Sequence, residues 1–187
     1  RSGHFLAHEF SGVRPDILVM AKGIASGLPM SAIGASGELM SKWQPGSHGG
    51  TYGGGSPLAM AAGLATLQVI HEEHLIENAS RQGAYLSNRL RDCLSRLPHR
   101  TDVRGPGLMV GVELIGEHGP DKEFVTNLQH ECLNRGLMLL TCGIGGNVIR
   151  WIPPVNVSQS EIDEAIDIFD HSLNSVMEKQ ETAALTS

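Results

Sequence analysis

The chain has 187 residues, 41% of them hydrophobic and 18% charged, with a net charge of −6, which is a globular balance that leaves no broad basic surface for nucleic acid or an anionic membrane. No apolar stretch reaches the roughly 18 to 20 residues that cross a bilayer, the opening Arg1-Ser2-Gly3-His4 lacks the shape of a signal peptide, and three widely spaced cysteines argue against a disulfide framework or a zinc site, so a reducing cytoplasm is expected. With 23 glycines and only 4% aromatics, the composition suits an α/β fold with many tight turns and close backbone approaches.

In chain order, the apolar runs Ile17 to Met20 and Ser31 to Ser36, bounded by Gly and Pro, predict strands flanking a lysine-bearing loop. Gly37 to Trp43 suggests a brief helix. Ser56 as N-cap and Pro57 at the first helical position open Leu58 to Ile70, whose small and apolar residues on nearly every face predict a buried helix. Leu75 to Leu97 places Leu75, Ala79, Leu86, Leu90 and Leu94 on one stripe of an amphipathic helix ended by Pro98. Asp102 to Gly107 reads as a turn, Leu108 to Ile115 as a strand, and Asp121 to Arg135 as a helix closed by Gly136. Leu137 to Thr141 and Val148 to Ile152 form a strand pair around a Gly-rich loop. Ser158-x-x-Glu161 is a capping box starting a last helix that runs to about Met177, with a frayed polar tail after it.

Three residues carry chemistry. Lys22 ends an apolar run and meets Gly23 at once, so a primary amine stands at the edge of a core; an amine taken out of water becomes a better nucleophile toward carbonyls. The plainer reading is a strand-end lysine that snorkels to solvent. Thr51 lies in His48-Gly49-Gly50-Thr51-Tyr52-Gly53-Gly54, where glycines let backbone N–H groups approach an anion ahead of a helix N-terminus, unless the stretch is only a turn. Arg150 sits in an apolar strand and needs an anionic partner, either a substrate carboxylate held by a planar fork or a protein carboxylate. The nine histidines show no helical metal-binding pair.

Asp16-x5-Lys22 with Ser26-Gly27, the Gly-Gly-Thr51-Tyr-Gly loop, and Gly145-Gly146-Asn147-Val148-Ile149-Arg150-Trp151-Ile152-Pro153-Pro154 together resemble, in order, the motifs of class III pyridoxal-phosphate-dependent aminotransferases, most of all the 4-aminobutyrate branch. The loop departs from the family pattern: Thr51 is followed by Tyr52-Gly53-Gly54-Gly55-Ser56-Pro57, one residue longer and without the usual asparagine. The resemblance implies a fold-type I architecture: the C-terminal part of a large α/β domain (1–75), a connecting helix (76–97), a small α+β domain (98–179) and a tail (180–187). It implies pyridoxal 5'-phosphate as cofactor, Lys22 as its covalent anchor and proton shuttle, and Thr51 as a contact to the phosphate of the neighbouring subunit's cofactor, hence a homodimer. It also implies Arg150 as the ligand of a substrate carboxylate.

The implied reaction moves an amino group from an ω-amino donor to 2-oxoglutarate by a ping-pong cycle. Its rivals are acetylornithine or diaminobutyrate aminotransferases, an aminomutase, and a non-catalytic interaction module. Arg1 to Ala7 resembles the stretch that closely follows the family's pyridine-contacting aspartate, so the resemblance further implies a C-terminal part of a longer enzyme, inactive by itself and exposing apolar surface.

Overall fold

In the computed structural model, which describes residues 1–47 and 55–186, Ile17–Met20 (β1) runs antiparallel to Ala32–Ala35 (β2), with Ile17 opposite Ala35 and Met20 opposite Ala32. This hairpin belongs to the first of two compact units, Leu6–Leu75; the second comprises Arg1–Phe5 and Ile76–Ser187.

In the first unit, Ser36 caps a four-residue helix α1 (Gly37–Met40). Ser56 caps α2 (Pro57–Glu72), its Oγ accepting from Ala59 N at 3.4 Å, with Pro57 at the helix start where a missing N–H costs nothing. The expectation that β1 and α2 are buried is corrected. Val19 is 68% exposed, Leu58 69% and Leu64 62%, and only Ala59 and Gly63 of α2 are buried. A two-stranded hairpin and one long helix have too little surface to cover each other's apolar faces.

The second unit holds an antiparallel sheet made of β3 (Arg100–Arg104), β4 (Val110–Gly116), β5 (Gly119–Pro120), β6 (Leu140–Cys142) and β7 (Val148–Trp151), in the order β3-β4-β7-β6 with β5 on β4. Helices α3 (Leu75–Leu94), α4 (Lys122–Asn134) and α5 (Gln159–Thr186) share one core with it. That core takes Val110, Val112 and Leu114 from β4, Ile149 and Trp151 from β7, and Leu86, Leu90, Phe124, Leu128, Phe169 and Leu173 from the helices. On the opposite face stand Gly111 and Glu113 of β4, both half-buried, and Arg150 of β7, which is exposed; Val148, on that same face, is nonetheless buried.

The helix ends follow the sequence signals. Asp121 Oδ1 accepts from Phe124 N at 2.9 Å at the start of α4. Gly136, at φ 92°, reverses the chain after α4, where Leu137 N donates to Cys132 O at 2.9 Å. Ser158 and Glu161 form a reciprocal capping box at α5, Ser158 N to Glu161 Oε2 at 2.7 Å and Glu161 N to Ser158 Oγ at 3.3 Å.

Two expectations are corrected. Asp102 to Arg104, expected in a turn, belong to edge strand β3; only Gly105 (φ 126°) and Gly107 (φ 53°) make the reversal. The polar residues of β3 hid it, because an edge strand buries one residue, Val103, and wets the rest. Helix α5 continues past Met177 to Thr186. The Glu, Lys, Gln and Ala residues there are good helix formers with no Gly or Pro to stop them, and Lys179 Nζ reaches Glu131 of α4 at 2.9 Å.

Candidate active site

Lys22 begins a 3₁₀ turn, Lys22–Ala25, directly after β1, and its backbone is left-handed at φ 56°. For a residue with a Cβ that conformation costs roughly 1 to 2 kcal/mol, and it persists only because the surrounding turn is anchored. The anchors are on α2. Ser26 Oγ and Thr66 Oγ1 lie 2.9 Å apart, and Gly63 leaves room for Met30 and for the Ile24 carbonyl. Ala25 is buried. The expectation of a lysine withdrawn from water is corrected: Lys22 is exposed, because the hairpin and α2 seat the turn from below and cover nothing above it. Its amine makes no hydrogen bond or ion pair among the described residues. A primary amine so presented fits an aldehyde-bearing cofactor.

Arg150 is exposed on the face of the sheet away from the core, opposite Gly111 of β4 and Leu140 of β6. The expected buried guanidinium is thus corrected, since strand alternation turns Ile149 and Trp151, not Arg150, into the core. No protein carboxylate pairs with it among the described residues. The carboxylate on the adjacent position of β4 is engaged elsewhere: Glu113 Oε2 accepts from Arg104 Nη1 at 2.7 Å and Glu113 Oε1 from Asn147 Nδ2 at 3.3 Å. Arg104 and Glu113 were not singled out in the sequence, because their proximity depends on the register of β3 against β4.

Thr51 and its loop, with His48 and Tyr52, lie outside the described residues. Lys22 belongs to one unit and Arg150 to the other. His99 is structural: its Nε2 lies 3.0 Å from Asp121 Oδ2 and its ring packs on Phe124 at 4.5 Å between centroids. Among the described residues no group of three or more His, Cys, Asp or Glu could hold a metal ion, and no helix is long and apolar enough to cross a membrane.

The model of the family "Aminotransferase class-III" matches residues 1–173. The chain belongs to the class III aminotransferases. It is 38% identical over 182 residues to the diaminobutyrate–2-oxoglutarate aminotransferase of Haemophilus influenzae, covering 92% of this chain and 40% of that protein. It is 37% identical over 175 residues to the 4-aminobutyrate aminotransferase of Mycobacterium leprae, covering 92% and 39%. Among solved structures, the ornithine aminotransferase of Toxoplasma gondii superposes with a TM-score of 0.86 at 31% identity, over 97% of this chain and 42% of that one; it carries pyridoxal phosphate at partial occupancy in its active site. The architecture is that of part of a fold-type I aminotransferase, and the chain spans about two fifths of the length of the curated relatives it matches.

Proposed function

We propose that the whole protein is a pyridoxal-phosphate-dependent aminotransferase that moves an amino group from an ω-amino donor of the 4-aminobutyrate kind to 2-oxoglutarate in a ping-pong cycle. The observation that carries this reading is Lys22: an exposed amine without a partner among the described residues, held in a left-handed backbone conformation by a turn anchored on α2. Bound cofactor would supply an electron sink for the carbanion formed at the amine-bearing carbon.

The chain's own residues do the rest. Lys22 Nζ would hold the cofactor through its aldehyde carbon; with a donor amine in its place, Lys22 Nζ would take the proton from the donor's amine-bearing carbon as general base and deliver it, as general acid, to the cofactor carbon that bore the aldehyde. Arg150, which pairs with no carboxylate among the described residues, grips a substrate carboxylate through two parallel N–H bonds. Thr51 donates its hydroxyl to the cofactor phosphate of a neighbouring copy, which makes the active form a homodimer. Exposed apolar side chains on α2, Leu58, Met60 and Leu64 among them, support self-association. The three free thiols, Cys93, Cys132 and Cys142, suit a reducing cytoplasm.

A second donor deserves equal testing, since the relative named for diaminobutyrate is as similar as the one named for 4-aminobutyrate. The test is to add pyridoxal phosphate to the whole protein, reduce with borohydride and locate the adduct by peptide mass spectrometry. An adduct confined to Lys22 and lost in Lys22→Ala is expected, followed by glutamate formation from 2-oxoglutarate with one donor of a 4-aminobutyrate, diaminobutyrate and acetylornithine panel. Labelling scattered over surface lysines would overturn the reading in favour of a non-catalytic interaction module.

A further inference from the structure

On the face of the sheet away from the core, Glu113 has two arginines within reach. Arg104 of β3 stands opposite Gly111, and Gly111 stands opposite Arg150 of β7, so the two arginines flank one residue that has no side chain. Glu113 is the next position of β4 on that face, opposite Asp102 on one side and Val148 on the other. It is therefore a diagonal neighbour of both arginines, at about 7–8 Å between backbones, a gap that long side chains span.

The side chains choose one of them. Glu113 Oε2 accepts from Arg104 Nη1 at 2.7 Å, and Arg104 Nη1 also reaches Asp102 Oδ2 at 2.6 Å. The other oxygen, Oε1, accepts from Asn147 Nδ2 at 3.3 Å. Asn147 is 2% exposed, and the same amide nitrogen donates to Leu114 O at 2.9 Å, so it is fixed in place. Both oxygens of Glu113 are engaged, and Arg150 is left beside Gly111 and the apolar Leu140.

We propose that Arg104 is a specificity-determining positioning residue: by holding Glu113 together with Asn147, it keeps the Arg150 guanidinium free for the carboxylate of an incoming amino or 2-oxo acid. This rests on the reading of Arg150 as the carboxylate ligand. A carboxylate tethered on the neighbouring strand competes at an effective concentration in the millimolar range or above. Were Glu113 to occupy Arg150 nine-tenths of the time, the competent fraction would be about 0.1 and apparent substrate affinity would fall about tenfold. The clamp on Glu113 removes that competition.

The experiment measures binding of glutarate, an unreactive mimic of 2-oxoglutarate, to the cofactor-loaded whole protein by calorimetry. Arg104→Gln frees Glu113 and should weaken binding about tenfold. Arg104→Gln with Glu113→Gln should return it to within about threefold of the parent, and Arg104→Lys, which keeps the charge, should stay in that range. Restoration by a second substitution is not expected of a residue that merely supports the fold. Arg104→Gln binding like the parent, or the double variant binding as weakly as the single, overturns the inference.

Should Arg104→Gln fail to fold, Glu113→Gln alone decides. Unchanged affinity supports the clamp, while a tenfold gain would mean that Glu113 already competes for Arg150 and would overturn it. Arg150→Gln separates the two readings. If it still binds glutarate like the parent, the carboxylate role falls and this inference with it. If binding is lost while Arg104→Gln is unaffected, only the inference falls.

Discussion

The Cys93 thiol on α3 donates to Asp170 Oδ1 on α5 at 3.0 Å. Arg96 Nη2 reaches the same oxygen at 2.5 Å. Burial, followed by the adjacent carboxylate, pushes the Cys93 thiol up to about 12, while at Asp170 burial is outweighed by the Cys93 and Arg96 hydrogen bonds, which hold its carboxyl below the usual range. About two helix turns earlier in α5, Asp163 accepts from both Tyr85 and Arg89 of α3. Together these contacts fix the register of α3 against α5.

The thiols should therefore separate by reactivity. Cys93 is buried with its thiol near 12, Cys132 is buried and pushed by burial up to about 11, and Cys142 is partly exposed on β6. The thiolate is the reactive form, so iodoacetamide at pH 8 should modify Cys142 first and reach the other two only on unfolding. Peptide mapping over a time course checks this; early labelling of Cys93 would contradict the packing described.

Helix α3 crosses the β3–β4 turn at a place where only glycine fits. A Cβ on Gly83 would overlap the carbonyl carbon and oxygen of Gly107, both of them backbone atoms that cannot rotate away. Gly83→Ala should destabilise the protein by about 1–3 kcal/mol or more through forced backbone shifts, although alanine is ordinarily the better helix former. Urea unfolding gives the sign; a stabilised variant would refute the close approach.

Trp151 and Phe169 meet edge to face, centroids 5.3 Å apart at 75°, in the centre of the core. Phe169 has no exposed surface. Phe169→Ala should cost about 3–5 kcal/mol. Phe169→Leu, which leaves a smaller void, should cost less in the same denaturation series.

The α5 cap gives the stability a defined acid limb. The Glu161 carboxyl is held below its ordinary value by the Ser158 backbone N–H and then by the Ser158 hydroxyl. A carboxylate with a depressed folded-state pKa contributes stability above its unfolded value near 4.3, and that contribution is lost as pH falls through the lower folded value. The melting temperature of Glu161→Ala should thus lie below that of the parent from pH 7 to about 5, and the gap should close below about pH 4. A gap unchanged by acid would mean that the charge of Glu161 is irrelevant to the cap.

Much of the second unit was legible in the sequence because its signals are local. The stripe of α3, Asp121 and Gly136 bracketing α4, and the Ser158–Glu161 box each act within a few residues. Strand β3 was not, since Arg100, Asp102 and Arg104 are polar for an edge-strand reason that shows only once β4 lies beside them. The same limit applies to the candidate site. Lys22 and Arg150 stand out by motif, whereas the clamp of Arg104 and Asn147 on Glu113 joins residues brought together by three strands. Burial at β1 and α2 was misjudged because apolar patterning reports which faces avoid water, not whether this stretch of chain can cover them.

The left-handed backbone at Lys22 sets folding and chemistry against each other at one position. Glycine adopts φ 56° without strain, so Lys22→Gly should leave the first unit as stable or more stable while deleting the only amine the turn offers. A chain drifting under selection for stability alone would lose this lysine readily. The strain is measurable as a rise in melting temperature for Lys22→Gly, and under the proposed function the same substitution removes the amine that would hold the cofactor.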